Sequence, residues 1–163
     1  MNKAKKTALY GVLTALALIL GYIETLIPAF VAIPGMKIGL TNIVVLFSLY
    51  AVSERAAIII NIVRIIVLAM LFGSPLSFVF SLVGGCLSTA VMILLKKSDR
   101  FGMVGVSIAG GVTHNIGQII VAMLVMNTKA IALYLPVLWI TGIFSGMLVG
   151  FIGGLIAARI RTD

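Results

Sequence analysis

The chain has 163 residues, of which 62% are hydrophobic and 10% charged, with a mean hydropathy of +1.28 and a formal net charge of +8. Soluble domains carry about a quarter charged residues, so this composition excludes one and points to an integral membrane protein. The positive balance does not indicate nucleic acid, because the basic residues flank apolar segments instead of forming one run, and the single cysteine, Cys86, reads as a small core thiol.

At about 20 residues per crossing, the chain divides into six apolar segments at roughly 7–28, 38–53, 56–72, 75–95, 103–126 and 131–157. They predict an all-α bundle of six transmembrane helices forming one integral membrane domain over 1–163. Lys3, Lys5 and Lys6 precede the first segment, which is as long as a full span and has no A-x-A-like exit, so it is expected to remain as a helix and not be cleaved as a signal peptide. Placing the amino terminus inside gives the cytoplasmic side Lys3, Lys5, Lys6, Arg55, Lys96, Lys97, Arg100, Arg159 and Arg161, and the outer side Lys37 and Lys129. Nine against two predicts a multi-pass protein of the cell membrane with both termini cytoplasmic.

In the first segment Ala4, Ala8, Gly11 and Ala15 set small side chains on adjacent turns, which suits close approach by another helix. Ordinary internal packing would use the same stripe; the sharper expectation is docking of a separate membrane subunit. The connection from Pro28 to Asn42 is apolar for a loop, carries a Pro34-Gly35 turn signal, and reads as a lid over an outward-facing cavity. The second and third segments are short and meet at Ser53-Glu54-Arg55, either as a tightly turned pair or as a partly re-entrant one.

Arg64 falls near the middle of the third segment, where translocon scales assign such a charge a cost of about 2.5–3.5 kcal/mol. Asn61 lies one turn away and can share its donors. Two partners remain open: a structural pair with Glu24, or an anionic or carbonyl-rich ligand met by the planar guanidinium. In the fourth segment Ser77, Ser81, Gly85 and Thr89 recur at steps of four, and in the sixth Gly142, Gly146, Gly150 and Gly154 do the same, which predicts close helix contacts. The sixth segment is long, and either tilts or begins with a surface piece before Pro136.

The fifth segment holds the only histidine. Ser107, Gly111, His114, Asn115 and Gln118 share one helical stripe, which at membrane depth must face protein or water. Ser107 and Gly111 read as packing residues; His114, Asn115 and Gln118 read as ligand contacts. Arg64 and His114 fall at similar depths, and Asn42 and Thr41 approach from the outer half. The expected substrate-binding set is therefore Lys37, Asn42, Asn61, Arg64, His114, Asn115 and Gln118.

Several chemistries lack their residues. No G-x-x-x-x-G-K-[ST] occurs, so the chain does not hydrolyse ATP by that device and would need an ATPase partner. One His and one Cys are too few for a zinc site, and Glu24, Glu54, Asp99 and Asp163 are too scattered to hold magnesium on a diphosphate. No catalytic residues, metal or cofactor are expected.

Four pieces carry a family resemblance: Pro34-Gly35-Met36-Lys37-Ile38-Gly39-Leu40-Thr41-Asn42, the midspan Arg64, His114-Asn115-Ile116-Gly117-Gln118, and Tyr134-Leu135-Pro136. Together they resemble the bacterial Gx transporters, also labelled heptaprenyl diphosphate synthase component I, over nearly the whole chain. The layout is also similar to the substrate-binding S-components of energy-coupling-factor transporters. That resemblance implies a vitamin-, flavin- or prenyl/quinone-like cargo, a membrane-embedded coupling subunit and ATPases as partners. The second family label implies the alternative, a non-catalytic membrane accessory of a polyprenyl diphosphate synthase.

Overall fold

The computed structural model describes residues 2–26 and 39–160. Lys37, the Pro34-Gly35 turn and most of the expected lid lie outside the described residues. Six α-helices follow in chain order: α1 (Lys3–Leu26), α2 (Leu40–Ala51), α3 (Glu54–Phe72), α4 (Pro75–Ser98), α5 (Met103–Val125) and α6 (Leu135–Ile160). A 3-10 helix over Lys129–Tyr134 precedes α6, and no strand occurs among the described residues. An all-helical chain follows from the solvent: in hydrocarbon each backbone N–H and C=O must be satisfied within its own segment.

Five of these helices are long and apolar enough to cross a membrane. Their outward faces carry large apolar side chains such as Val12, Met70, Leu94 and Leu124, as lipid contact requires. The chain is a multi-pass membrane protein. The second segment is short, as its sequence suggested: α2 has 12 described residues, about 18 Å at 1.5 Å per residue, against a hydrocarbon core of about 30 Å. It is a buried core helix with Val45, Leu46, Ser48 and Leu49 almost wholly enclosed. Its start is set by Gly39, whose φ of 84° is left-handed and suits a residue without a Cβ.

The termini of the other helices are written locally. Ser53 turns α2 directly into α3, accepting from the Ala56 N–H at 3.1 Å, so the tightly turned pair is the observed form. Ser74 and Ser77 form a reciprocal capping box at the start of α4, with Pro75 in its first turn. The sixth segment begins with a piece distinct from α6: the 3-10 helix buries no residue and hands over to α6 just before Pro136.

Helices α2, α3, α4, α5 and α6 pack each on the next, and α6 closes onto α2; α1 lies across α2 and α3. The helices alternate in direction, so Lys96, Lys97, Arg55 and the start of α1 share one end, here the basic end. At that end the ring is solid, filled by Ile43, Val45, Leu46, Leu49, Met92, Val106 and Val149. Lys96 donates to the Leu49 carbonyl at 2.5 Å and lies 5.3 Å from the Tyr50 ring, so α4 caps the last turn of α2.

The glycine spacings become helix contacts of known partner. A Cβ on Gly146 would fall 2.6 Å from Ile108 Cα, and one on Gly150 would fall 2.7 Å from Val104 Cα, so this edge of α6 lies directly on α5. Gly154 faces open space and takes no part. A Cβ on Gly117 would fall 2.9 Å from Gly84 Cα, so a second backbone contact joins α5 to α4. Cys86 is corrected: it is exposed on the outer face of α4 and is not a core thiol, because the buried edge of that helix is taken by Gly84, Gly85, Ser88 and Thr89.

Candidate functional site: a cavity around Arg64

At the end opposite the basic residues the same ring is hollow. A cavity of about 1320 Å³ lies there, with walls contributed by all six helices, and it extends along α5 and α6 as far as Val104 and Phe151. Its polar lining includes Glu24, Asn42, Arg64, His114, Asn115 and Gln118, and its apolar lining includes Leu68, Phe72, Phe144 and Leu148.

Arg64 is 7% exposed and reaches the wall from α3. Its Nε and one Nη2 hydrogen both go to Asn61 Oδ1, at 2.9 and 2.7 Å. Nη2 also donates to Asn42 Oδ1 at 2.9 Å, and Nη1 donates to Thr41 Oγ1. Each acceptor is neutral. Of the two partners left open for Arg64, direct pairing with Glu24 is not what is found: no ion pair joins them among the described residues, where the one salt bridge is Lys97 to Glu54 at 3.1 Å. The Glu24 carboxylate instead accepts the Gly39 N–H, tying the end of α1 to the start of α2.

Asn61 departs from its expected position. It is 1% exposed and does not line the cavity. Its Nδ2 donates to the Gly85 carbonyl at 3.1 Å and to Thr89 Oγ1 at 3.0 Å, so it anchors to α4 and presents its oxygen to Arg64. Gly85 is needed there, since a Cβ would fall 2.7 Å from Ile65 Cδ1 and 3.3 Å from Asn61 Nδ2. A connected set of hydrogen-bonded polar groups therefore runs from Thr41 and Asn42 through Arg64 and Asn61 to Thr89, as burial demands.

On the opposite wall α5 supplies His114, Asn115 and Gln118. Gly84 lets α4 approach there, a Cβ on it falling 2.8 Å from the His114 carbonyl and 3.2 Å from Gln118 Cγ. Asn115 donates to the Leu138 carbonyl of α6 at 2.6 Å, and Thr141 Oγ1 donates to the same carbonyl at 3.0 Å. Ser107 and Gly111 lie in the packed contact with α6, as expected for packing residues, and Gly111 also borders the cavity: Ser107 is buried, and a Cβ on Gly111 would meet the Gly142 carbonyl at 2.5 Å.

Sequence reasoning overlooked Thr141 and Ser145, which line the cavity from α6. The signal was present, since they lie four apart and each adjoins a glycine of the packed stripe, turning one edge to α5 and the next to the hollow. Ser77 and Ser81 also line it, so the α4 stripe divides: its first half faces the cavity, and Gly85 and Thr89 face α3. Among the described residues no group of three or more His, Cys, Asp or Glu side chains could hold a metal ion.

The expected docking stripe is on the outside. Ala4, Ala8, Gly11 and Ala15 are exposed, and a Cβ on Gly11 would meet nothing within 4 Å. The buried edge of α1 is instead Leu13, Ala17, Gly21 and Glu24.

A helical ring that is solid at one end and hollow round a hydrogen-bonded guanidinium at the other defines a polytopic membrane protein with an internal polar cavity. The sequence pattern of the family described as heptaprenyl diphosphate synthase component I matches residues 13–156, and the chain belongs to that family. Comparison with curated proteins gives no match, and comparison with solved structures gives none.

Proposed function

We propose that the chain is the membrane substrate-binding subunit of a small-molecule transporter, holding its cargo in the cavity and drawing energy from a partner ATPase module. The observation that carries this is Arg64: a cation at membrane depth, in the wall of a large cavity, hydrogen-bonded to neutral oxygens alone among the described residues. Neutral acceptors satisfy its geometry, and Glu24 acts on its charge from across the cavity wall without touching it, so a ligand with an anionic or strongly polar oxygen would add the direct charge partner that the protein does not supply. Asn42, His114, Asn115 and Gln118 would complete the contacts, with Lys37 as a further contact from the segment before Gly39; Asn61 would act by holding Arg64.

The lysine and arginine distribution supports a cavity opening outward, with both termini cytoplasmic and the chain in the cell membrane. The unoccupied outer edge of α1 supports docking of a membrane-embedded coupling subunit along Ala4, Ala8, Gly11 and Ala15. A second reading, a non-catalytic membrane accessory of a polyprenyl diphosphate synthase, is favoured by the family's name. Its own catalysis would need magnesium-binding carboxylates, and Glu24 is the one carboxylate in the described cavity lining.

The test is to purify the full chain in mild detergent and identify released small molecules by mass spectrometry, for wild type and Arg64→Ala. The reading predicts a specific molecule on the wild type, reduced about tenfold or more in the variant, since a hydrogen bond to a charged group is worth about 1.5–3 kcal/mol. Co-purification with an ATPase module supports the first reading, and co-purification with a soluble prenyl synthase supports the second. A wild type that carries nothing overturns the cargo role.

A further inference from the structure

Taking the cavity as a ligand site, we infer that its ligand is an amphiphile with one negative charge, whose charged end meets Arg64 and whose apolar body lies along Leu68, Phe72, Phe144 and Leu148. This rests on the substrate-binding reading above and narrows it to a charge class.

The charges of the lining set the limit. Among the described lining residues Arg64 is the one permanent cation and Glu24 the one carboxylate, with His114 the one imidazole. One negative charge can be balanced there by the guanidinium. A second or third would sit in a low-dielectric cavity with a carboxylate in its wall and no further fixed cation among the described lining residues, and Lys37, proposed above as a further contact, would in the charge count only offset Glu24. Diphosphates are commonly held by several cationic groups or through magnesium on carboxylates, and no metal-binding cluster occurs among the described residues.

The donors of Arg64 agree with the charge count. A guanidinium has five N–H groups. Four hydrogen bonds are made to Asn61, Asn61, Asn42 and Thr41, which leaves one hydrogen, on Nη1. The Nε/Nη2 edge, which usually grips carboxylate or phosphate with two parallel bonds, is filled by Asn61. A ligand oxygen is therefore met end-on at a single point. The first turn of α2 starts beside Thr41 and Asn42, but its Gly39 N–H is already taken by the Glu24 carboxylate, so the positive end of that helix is matched within the protein and does not raise the charge the site can balance. This arrangement suits a single-charge group such as a carboxylate and does not suit a polyanion.

The apolar wall sets the other end. Leu68 and Phe72 on α3 face the cavity together with Phe144 and Leu148 on α6, a surface whose burial favours a hydrocarbon or flat aromatic body. A small hydrophilic anion would leave it wetted.

A headgroup series on one body tests this with the wild-type chain alone. Farnesoic acid, farnesol and farnesyl diphosphate share an isoprenoid body and carry a carboxylate, a neutral hydroxyl and a polyanion. Binding of each to the full chain in phosphatidylcholine nanodiscs is measured by native mass spectrometry, with empty nanodiscs as the partition control. The expected result is that the acid binds at least about tenfold tighter than the alcohol and the diphosphate. Diphosphate binding equal to or tighter than the acid overturns the inference, as does equal binding of acid and alcohol, or no binding of any of the three. If none binds while the purified chain still carries a molecule of its own, the charge-class inference fails and the substrate-binding reading stands. If the chain carries nothing, both fail.

Discussion

Arg64 and Asn61 form one unit with two different roles. The guanidinium faces the cavity; the amide behind it is fixed by α4 and supplies the oxygen that two Arg64 donors share. Asn61→Leu removes that acceptor and the bonds to Gly85 and Thr89, leaving a charged group short of partners. Its expected cost is about 3 kcal/mol or more, read as a lowered unfolding temperature in detergent. Asn42→Ala removes one acceptor at the cavity wall, where a water or ligand oxygen can replace it, so it is expected to cost about 1 kcal/mol and to change ligand retention more than stability. Equal destabilisation by the two would contradict the division of roles. Arg64 was legible in the sequence because a charge in mid-segment needs a partner, whether within the protein or on a ligand. Its true neighbours were less so. Periodicity within one helix finds Asn61 at one turn's distance, but the bond from Asn61 to Thr89 and the turning of Glu24 to Gly39 depend on how separate helices meet.

Small residues at steps of four have opposite meanings on different helices, and the sequence pattern alone does not separate them. On α6 the stripe is internal: Gly146 lies against the backbone of Ile108, which cannot withdraw as a side chain could. Gly146→Ala is therefore expected to force α5 and α6 apart and to destabilise by about 1–3 kcal/mol, seen as a lower unfolding temperature and a disturbed cavity. On α1 the stripe is external. Gly11→Leu meets nothing within 4 Å and is expected to leave the unfolding temperature unchanged while weakening capture of a membrane coupling subunit in pull-down. A large loss of stability in Gly11→Leu, or none in Gly146→Ala, would reverse the two assignments. The six apolar segments were readable from hydropathy, and all six are helices. The shortness of α2 was only hinted at, since a fully buried 12-residue helix and a clipped span are equally apolar.

At the scale of the whole molecule, one ring of helices is packed at the basic end and open at the other. The inference of an outward-facing cavity follows from joining that asymmetry to the distribution of lysine and arginine. In a Cys86→Ser background, which removes the exposed native thiol, Ser98→Cys is expected to react with a membrane-impermeant maleimide only after cells are opened, and Asn127→Cys in intact cells. The opposite pattern would place the cavity on the cytoplasmic side and make a release or export role the better reading. Composition fixed the membrane class early, and the depth match between Arg64 and His114 anticipated that they share a cavity. Its apolar walls could not be read, because Phe144 and Leu148 look like any lipid-facing residues until the neighbouring helices are in place.

The central claim is that the Arg64 charge is kept for a ligand, and Asn61→Asp tests it most directly. That substitution places a carboxylate where an amide oxygen now accepts from Arg64 at 2.7 and 2.9 Å, compensating the cation from within the protein. Native mass spectrometry of the wild type and the variant, each in the same mild detergent, is predicted to show a bound small molecule on the wild type and about tenfold less on a still-folded Asn61→Asp. An equal complement of the same molecule on both proteins would contradict the account.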